Sequence, residues 1–403
     1  MKEEPLTNIL ADDVHELTYN SFLHSNSFTD ALANDMYEIE TISKGTNKPL
    51  RVGVLRGNKN KLPLTSSLNL MAYMARQFNI ELYFFTSKDF NPEDKTVRAT
   101  LIDGNSQIEK NIPLPKIIYN PFDCFAGENR KEIKSMIMKE SYFVRRGLSM
   151  TKQRIYDLLL DDGRFKDFLI ETHLVENFEH FMSLFGKYHN DVVLKPIHGM
   201  QGTGVNKITF NEEGYVISND KTGKKIFKTV DEFKTYYDKT FAQSKHVLQP
   251  YIVSRTKYDN SFDIRIHARR AAEGKFKVFS YPRICRFPGR ILSTISAGGY
   301  TMPLDNFLKA EFGNDWKTLF DRLTDLGNNF PEHFQSLLPR KISSMGLDVG
   351  IERRGESYEL KLFEVNIGGP AINIIPTEVA FANLEYIQYL GKCLEEGKDL
   401  NTV

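Results

Sequence analysis

Hydrophobic residues along the chain recur at two spacings, and the spacing changes from one segment to the next. Near the start, residues 51–55 and 81–85 are short β-rich runs, and between them the apolar residues of 66–78 recur at helical spacing. A strand, a helix and a second strand in this order form a βαβ unit, so we expect a small open α/β domain. A hairpin at 97–112 and a strand at 116–119 would complete its sheet.

The middle and the end of the chain mix longer helical segments with alternating runs. Residues 262–270, which read FDIRIHARR, alternate strictly between apolar and polar. We therefore expect Asp263, Arg265 and His267 to share one face of a strand and apolar residues to share the other. Asp231 is the predicted cap of a helix that starts at residue 232. Helices are predicted at 128–140, 148–160, 177–188, 232–241, 316–338 and 377–396, and further strands at 246–253, 276–285, 347–352 and 358–366.

A glycine-rich loop between two apolar runs is the most distinctive stretch. It occupies residues 192–205 and reads VVLKPIHGMQGTGV, with Lys195 at the end of the first run. Glycines leave backbone N–H groups bare, so such a loop can fold over a triphosphate, and the lysine adds positive charge for phosphate oxygens. The pattern fits neither a Walker loop, because no lysine follows the last glycine, nor a dinucleotide fingerprint, because a strand follows instead of a helix. Taken alone, the loop is equally compatible with a plain hairpin turn.

A second candidate site lies near the end of the chain. Glu364 and Asn366 are two residues apart on a predicted strand, so their side chains share a face. In a regular strand, Leu360 and Leu362 precede them on that same face. A polar pair that interrupts an apolar row needs partners, because a buried acid without partners is costly.

Whether Asp348 joins this pair depends on the register of the hairpin that connects the two strands. A three-residue loop at 354–356 places Asp348 opposite Leu362 and on the face of the polar pair, whereas a two-residue loop places it on the other face. Two carboxylates and an amide oxygen form an all-oxygen donor set, which suits Mg²⁺. The plain alternative is a pair of strand acids bonded to backbone groups or to arginines.

Composition argues against several classes of protein. The formal net charge of +1 over 403 residues gives no reason to expect nucleic acid or an acidic membrane surface as a partner. Cys124, Cys285 and Cys393 form no CxxC pair, which disfavours zinc and a disulfide framework and favours a reducing, cytoplasmic setting. The first residues contain no apolar signal core, and no run of about 18 apolar residues occurs, so we expect no membrane span.

Together, the glycine loop, the lysine at the strand end and the late acid pair resemble the ATP-grasp superfamily. The order of eight segments is most similar to the YheC/YheD family, named from spore-coat-associated proteins, and more distantly to RimK-type ligases. These segments are MTKQRIYDLL, FLIETHLV, VVLKPIHGMQGTGV, VLQPYI, FDIRIHARR, SAGG, GLDVGIE and LFEVN. The resemblance covers residues 51–396.

The resemblance implies an ATP-grasp fold of the α/β and α+β class, in which two domains hold ATP between antiparallel sheets. It divides the chain into four parts: a polar arm (1–48), an N-terminal open α/β domain (49–126), a central lid domain with the glycine loop (127–250) and a C-terminal domain with the metal site (251–403).

The resemblance also implies roles for single residues. Arg265 and Arg283 would face the reaction centre, where negative charge develops during catalysis. Asp348, Glu364 and Asn366 would hold Mg²⁺, with Mn²⁺ as an alternative ion. Nucleotide contacts are implied for Lys152, Lys195, His198, Gly199, Gln201, Gly202, Thr203, Gly204, Gln249, Tyr251 and Ile252.

The implied reaction is the ATP-dependent, ADP-forming ligation of a carboxylate to an amine through an acyl phosphate, with a small acid, an amino acid or a peptide as substrate. Two alternatives stay open: a phosphotransferase on the same fold, and a non-catalytic ATP-binding component of a spore coat or surface. The chain departs from RimK-like relatives at Thr294, where they usually carry asparagine, and at Ala297, where a basic residue is often found. Both departures concern the substrate contacts rather than the nucleotide site. A homo-oligomer is compatible with the sequence.

Overall fold

The computed structural model describes residues 48–57, 66–103, 106–120, 125, 130–144, 148, 150–198, 202–293, 295, 298–367 and 374–402. The chain forms two compact units: one takes in Met1–Tyr142 and Leu390–Glu396, and the other takes in Phe143–Tyr389 and Gly397–Val403. Of the predicted arm, only the last residue falls within the described ranges. The four-part division of the chain stays a prediction.

A mixed sheet forms the first unit. Its strands are β1 (Leu50–Arg56), β2 (Ile80–Thr86), β3 (Phe90–Asn91), β4 (Thr96–Asp103), β5 (Ser106–Pro113), β6 (Ile117–Tyr119) and β7 (Tyr142–Phe143), and its helices are α1 (Ser66–Met74) and α2 (Arg130–Glu140). The strand order is β3-β4-β2-β1-β6-β7, with β5 paired to β4. Since β1 pairs in parallel with both β2 and β6, the predicted open α/β arrangement is confirmed. The antiparallel β4–β5 pair is the predicted hairpin.

A six-stranded sheet at the start of the second unit carries the glycine loop. The elements of this region are α3 (Lys152–Asp162), β8 (His173–Val175), α4 (Phe178–Lys187), β9 (Asp191–Pro196), β10 (Asn206–Asn211), β11 (Gly214–Asn219), β12 (Gly223–Phe227), α5 (Val230–Thr240) and β13 (His246–Pro250). The strand order is β12-β11-β10-β9-β13-β8. The antiparallel strands β9 and β10 enclose the glycine loop, as predicted. Helices α4 and α5 pack an aromatic core against the sheet, with Phe181 and Phe233 fully buried.

Both helices on this sheet begin at residues whose side chains accept a backbone N–H. At the start of α4, Oδ1 of Asn177 accepts the N–H of His180 at 2.8 Å. At the start of α5, Oγ1 of Thr229 accepts the N–H of Glu232 at 3.2 Å, and the carboxylate of Glu232 accepts the N–H of Thr229 in return. The prediction that Asp231 caps this helix is therefore wrong, because the cap is Thr229. Asp231 lies in the first turn of α5, because the threonine and the glutamate three residues later form a capping box.

A four-stranded antiparallel sheet forms the rest of the second unit. Its elements are β14 (Phe262–Arg270), β15 (Phe276–Ile284), α6 (Leu304–Phe312), α7 (Trp316–Ser336), β16 (Ser344–Arg354) and β17 (Ser357–Asn366), followed by α8 (Pro376–Glu395). The strand order is β15-β14-β16-β17. One face of the sheet packs apolar side chains against α3, α6 and α7 in a single core. Phe262, Ile264 and Ile266 lie in that core, so the predicted alternation of β14 is confirmed, whereas α6 was not predicted.

The hairpin between β16 and β17 differs from the predicted one. Its loop is residues 355–356, which is two residues rather than three, and Arg354 lies opposite Ser357. In a regular ladder this register would place Asp348 and Glu364 on opposite faces of the sheet, because one residue of slip exchanges the two faces.

A β-bulge brings the two acids back together. The register shifts between Asp348 and Val349, which leaves Phe363 as an extra residue on β17. Asp348 therefore lies directly opposite Glu364. The predicted three-residue loop is therefore wrong, although Asp348 and Glu364 do lie on the same face of the sheet.

The same bulge decides which face the polar pair occupies. Leu360 and Leu362 pack into the apolar core, as does Val365 after the bulge. Glu364 and Asn366 alternate with Val365 and so lie on the face away from this core. The prediction that Leu360 and Leu362 share a face with Glu364 and Asn366 is therefore wrong.

A membrane span needs a long helix of mostly apolar residues. Across the described ranges, each helix is shorter or more polar than such a segment. The longest, α7, has 21 residues, but its apolar positions form one stripe that faces the core.

Candidate functional site

A narrow pocket lies beside α3 in the second unit, with room of about 50 Å³ for water-sized groups inside about 500 Å³ of empty space that includes open solvent. Most of its wall is apolar. Its polar side chains include an ion pair of Lys152 with Glu364 and hydrogen bonds that join Lys195, Gln249 and Thr172. A concave site with apolar walls and a small number of convergent polar groups is the usual form of a small-molecule site. The lining residues are Lys152, Ile155, Tyr156, Leu159, Leu169, Ile170, Thr172, Lys195, Val247, Gln249, Leu362, Phe363, Glu364 and Val365.

A chain of hydrogen bonds positions Lys195 at the end of β9. Its Nζ donates to Oε1 of Gln249 on the neighbouring strand β13 at 2.7 Å. Nε2 of Gln249 donates to Oγ1 of Thr172 at 2.7 Å, and that hydroxyl donates to the carbonyl of Ile170 at 2.7 Å. These bonds hold the ammonium group of Lys195 toward the pocket. Its hydrogen-bond partner in this chain is an amide oxygen and not a carboxylate.

The charge of this lysine is sensitive to its surroundings. Burial lowers the pKa of Lys195 to about 8, and the neighbouring Lys152 acts in the same direction against the opposing effect of Glu364. Lys152, at the start of α3, itself forms an ion pair with Glu364. Two lysines and one carboxylate give this end of the pocket a net positive charge while Lys195 is protonated, which favours an anionic ligand.

Asp348 lies at the centre of the buried charged face of the four-stranded sheet. Its Oδ1 accepts from Nε of Arg265 at 2.5 Å, and its Oδ2 accepts from Nη2 of Arg265 at 3.2 Å. Nη2 of Arg283 is 2.9 Å from the same Oδ2, and Nδ2 of Asn366 is 3.5 Å from it. Burial alone would raise the pKa of Asp348, but the two guanidinium groups hold it below its ordinary value.

A second acid completes the pairing of Arg283. Asp263 accepts from Nε and Nη2 of Arg283, both at 2.6 Å, and from the hydroxyl of Ser293 at 2.5 Å. Burial would lower the pKa of Arg283, but Asp263 and Asp348 raise it, so the guanidinium stays charged. Paired forks of this kind fix the plane of each arginine as well as its position. The sequence left open that the strand acids pair with arginines instead of a metal, and Asp348 does pair with Arg265 and Arg283.

Two members of this face have no counterpart among the predicted site residues. Tyr281 lies opposite Arg265 and two residues before Arg283, so it shares their face, and it is buried. Burial raises the pKa of Tyr281, so its phenol stays protonated at neutral pH. The alternation of β15 could have indicated Tyr281, whereas nothing local marks Ser293, because its partner Asp263 is far away in sequence.

Of the predicted nucleotide contacts, Lys152, Lys195 and Gln249 line the pocket. Tyr251 and Ile252 follow β13 and are not among its described lining residues. Their predicted contacts with the base stay a prediction.

Tyr251 instead lies in a cluster of cations beside the pocket sheet. Nζ of Lys207 is 3.6 Å from the centre of its ring, and its hydroxyl accepts from Nε of Arg255 at 3.2 Å. The N–H of Tyr251 donates to the carbonyl of Asp191 on β9 at 3.1 Å. These contacts tie the segment after β13 to the sheet that carries the glycine loop.

The structure describes the glycine loop in part. His198 is exposed at its start. Gly202 and Gly204 adopt φ of 68° and 77°, which is the left-handed region that favours glycine, and Thr203 lies between them. Several residues singled out in the sequence lie outside the described ranges: Gly199, Gln201, Thr294 and Ala297.

The predicted metal ligands share one face and offer only oxygen donors of the kind that Mg²⁺ prefers. Within the described residues, no group of three or more His, Cys, Asp and Glu side chains is arranged to hold a metal. A metal at Asp348 and Glu364 would therefore depend on the amide oxygen of Asn366 and on oxygens of a bound phosphate. Each of the two carboxylates already has a cationic partner, namely Lys152 for Glu364 and the two arginines for Asp348. The donor set fits Mg²⁺, and its role as a metal site stays a prediction.

A family model described as YheC/D-like ATP-grasp matches residues 142–379, which is more than half of the chain. The chain belongs to the YheC/D-like ATP-grasp family. The predicted family and its ATP-grasp fold are thereby confirmed. The matched range contains the pocket, the glycine loop and the arginine–carboxylate face.

One relative is a curated protein of Bacillus subtilis (strain 168), the endospore coat-associated protein YheD. It is 22% identical to this chain over 335 residues, which cover 77% of this chain and 70% of YheD. Its name gives a location and no reaction.

Several solved structures of ATP-grasp enzymes are similar at low identity. The D-cycloserine synthetase DcsG has a TM-score of 0.44 and 11% identity and covers 85% of this chain and 99% of its own. The N5-carboxyaminoimidazole synthetase of Staphylococcus aureus with ADP has a TM-score of 0.48 and 8% identity, over 88% and 79% of the two chains. The ligase PsnB with its precursor peptide PsnA2 and AMPPNP has a TM-score of 0.45 and 12% identity, over 86% and 100%. None of these similarities specifies a substrate for this chain.

Proposed function

We propose that this protein is an ATP-dependent, ADP-forming ligase that joins a carboxylate to an amine through an acyl phosphate. The observation that carries the proposal is a pocket with apolar walls whose cations, Lys152 and Lys195, lie next to the buried arginine–carboxylate face. Membership of the ATP-grasp family supports ATP as the ligand of this pocket. Its substrate would be a small acid, an amino acid or a peptide.

The pocket residues account for nucleotide binding. The apolar walls, which include Ile155, Val247 and Leu362, suit the faces of a nucleobase. Lys152 and Lys195 hold phosphate oxygens, because they are the cations at the polar end of the pocket and one of them has no carboxylate as its direct partner.

The arginine–carboxylate face accounts for the chemistry. A carboxylate becomes reactive toward an amine once its oxygen takes the γ-phosphoryl group of ATP, since phosphate can then leave as the C–N bond forms and the amine loses a proton. Negative charge builds up on the phosphoryl group and later on the acyl oxygen. Arg265 and Arg283 stabilise this charge, because their carboxylate partners already fix them in place before the reaction begins. Mg²⁺, held by Glu364 and Asn366 with Asp348, supplies further positive charge to the phosphate oxygens when it is bound.

The experiment that tests this proposal is a turnover screen. The full chain would be incubated with Mg-ATP and pools of amino acids, dipeptides and small carboxylic acids, while ADP, AMP and new masses are followed together. ADP that appears only with one pool, together with a condensation product, would support the ligase. AMP would contradict the acyl-phosphate route.

A matched pair of variants makes the screen specific to the site. Glu364→Gln removes the charge next to Lys152, and we expect turnover to fall at least about a hundredfold, as for other groups that act on developing charge. Glu359→Gln alters an exposed glutamate of the same strand, whose partner is Lys361, and should leave turnover unchanged. Equal turnover in the two variants would remove Glu364 from the mechanism.

The alternatives give different results in the same screen. A phosphorylated product without any amide would indicate a phosphotransferase. Tight binding of ATP without ADP formation in every pool would favour a non-catalytic coat component, the alternative that the name of the endospore coat-associated protein YheD supports.

A further inference from the structure

The segment that follows β15 connects two parts of the site that are far apart in the sequence. Residues 290–293 lie between the turn of the β11–β12 hairpin and the arginine–carboxylate face. Each end of this segment is held by charged or buried groups, so it is a structural link and not a free loop.

Asp220, in the hairpin turn, holds the first part of this segment. Its Oδ1 accepts the N–H of Ile291 at 3.1 Å, and its Oδ2 accepts the N–H of Leu292 at 2.8 Å. In the reverse direction, Nη1 of Arg290 donates to the carbonyl of Asp220 at 2.6 Å. One carboxylate thus fixes two successive backbone N–H groups through charge-assisted hydrogen bonds.

The same hairpin turn also contacts the glycine loop. Nδ2 of Asn219 donates to the carbonyl of Val205 at 3.0 Å, and Nζ of Lys221 donates to Oγ1 of Thr203 at 3.2 Å. Leu292 packs directly on the loop, because a β-carbon added at Gly202 would lie 2.4 Å from its Cδ1. The glycine loop, the turn and the segment after β15 are therefore packed as one group.

The other end of the segment reaches the reaction centre. Ser293 follows Leu292 and donates its hydroxyl to Oδ2 of Asp263 at 2.5 Å. The same Oδ2 accepts from Nη2 of Arg283 at 2.6 Å, and this nitrogen also lies 2.9 Å from Oδ2 of Asp348. From the glycine loop to Arg283, the described residues thus form a continuous series of contacts.

We propose that Asp220 is a positioning residue that couples the glycine loop to the arginine–carboxylate face, through Leu292 and Ser293. It acts on the chemistry through Arg283 and does not touch the reacting atoms. The inference rests on the proposed function, in which Arg283 stabilises charge at the reaction centre, and on the predicted contacts of the glycine loop with the nucleotide. A nucleotide that contacts residues 202–205 then also sets the position of Arg283.

The first test is hydrogen exchange of the full chain by mass spectrometry, without nucleotide and with Mg²⁺ and the analogue AMPPNP. Asp220→Ala removes both acceptors, and Asp220→Asn keeps one. Asp238→Ala removes an exposed acid that pairs with Lys234 and is the matched control. We expect the amides of 290–293 to exchange about tenfold faster or more in Asp220→Ala, less so in Asp220→Asn, and at the wild-type rate in the control.

The nucleotide complex separates coupling from a merely local contact. In the wild type, AMPPNP should protect both the glycine loop and residues 290–293. In Asp220→Ala, AMPPNP should still protect the glycine loop at 202–206 but no longer protect 290–293. If AMPPNP protects neither segment in Asp220→Ala, or still protects both segments, the coupling is overturned.

Turnover provides the second readout once a substrate is known. Asp220→Ala should keep its Kd for ATP within about threefold of the wild type, while kcat falls about 10- to 100-fold, as expected for a small misplacement of a catalytic group. Asp220→Asn should recover part of kcat. An unchanged kcat, or a loss of ATP affinity as large as the loss of kcat, would overturn the positioning role.

Failure of the proposed function can be told apart from failure of this inference. If the wild type binds AMPPNP but forms no ADP with any pool, the ligase proposal fails, and the exchange pattern still decides the coupling. If the wild type binds no nucleotide, the coupling to the glycine loop fails together with the ligase proposal, and the exchange of 290–293 in the nucleotide-free variants then shows only whether Asp220 holds this segment.

Discussion

A β-carbon added at Gly350 would lie 2.3 Å from Cζ of Phe363, so the ring of Phe363 occupies the space over Gly350. Phe363 is the extra residue of the bulge that places Asp348 opposite Glu364, and its side chain also lines the pocket. Gly350 thus gives the bulged residue room at the boundary between the pocket and the charged face. The geometry of the candidate site depends on this glycine.

The first prediction concerns Gly350→Ala. The added methyl group should push the Phe363 ring into the pocket, lower the free energy of unfolding by about 1–3 kcal/mol and weaken ATP binding. Unfolding can be followed by the fluorescence of Trp316, the single tryptophan of the chain, which packs against the core of the four-stranded sheet. ATP binding can be measured by calorimetry.

Phe363→Ala provides the control for this clash. With the ring removed, the second substitution Gly350→Ala should cost little further stability, because the methyl group then has space. If Gly350→Ala is as harmful in the Phe363→Ala background as in the wild type, the effect does not come from the ring.

The second prediction concerns pH. Burial lowers the pKa of Lys195 to about 8, so its ammonium group is charged below pH 8 and loses its proton as the pH rises through that value. An anionic nucleotide binds the charged form. At about pH 9, one unit above this pKa, about nine-tenths of the Lys195 side chains are neutral. ATP affinity at that pH should therefore be about tenfold weaker than at about pH 7, where the lysine is charged.

Calorimetry between pH 7 and pH 10 in two buffers of different ionisation enthalpy measures both the affinity and the uptake of protons. Lys195→Arg keeps its charge over this range, so any remaining affinity should lose this pH dependence. A wild-type affinity that stays constant across the range would exclude Lys195 as the group that binds phosphate through its charge.

The third prediction concerns the pairing of Arg283. Asp263→Ala leaves this buried guanidinium with Asp348 as its remaining carboxylate partner, so we expect the free energy of unfolding to fall by about 3 kcal/mol. Asp263→Ala combined with Arg283→Met should recover part of that loss, since Asp348 and Arg265 then remain as a balanced pair. Denaturant unfolding followed through Trp316 measures both variants.

Glu359→Ala is the matched comparison for this pair. Its carboxylate is exposed and pairs with Lys361, and exposed pairs contribute about 0–1 kcal/mol. If Asp263→Ala costs no more than Glu359→Ala, the acid does not hold Arg283 in the folded protein.

The elements of the site were predictable, but their register was not. The alternation of β14 indicated that Asp263 and Arg265 share a face, because side chains on a strand alternate whatever its partner is. The pairing of Asp348 with Glu364 depends on an extra residue in β17, and a bulge depends on its partner strand, so alternation within β17 could not indicate it. The link from Asp220 to Ser293 was not predictable either, since it joins segments about 70 residues apart through backbone N–H groups that every residue except proline has.

The last prediction compares two glycines of the same sheet. Gly202 and Gly223 both have left-handed φ, of 68° and 81°, but a β-carbon at Gly202 would meet Leu292 whereas none of the described atoms lies within 4 Å of one at Gly223. Gly223→Ala should therefore cost only the left-handed conformation, about 1–2 kcal/mol, and Gly202→Ala should cost more because Leu292 must move. Adding Leu292→Ala should bring the cost of Gly202→Ala down to that of Gly223→Ala, as measured by thermal unfolding against the matching backgrounds. Equal costs for the two glycines in the wild-type background would show that Leu292 does not press on the glycine loop in solution.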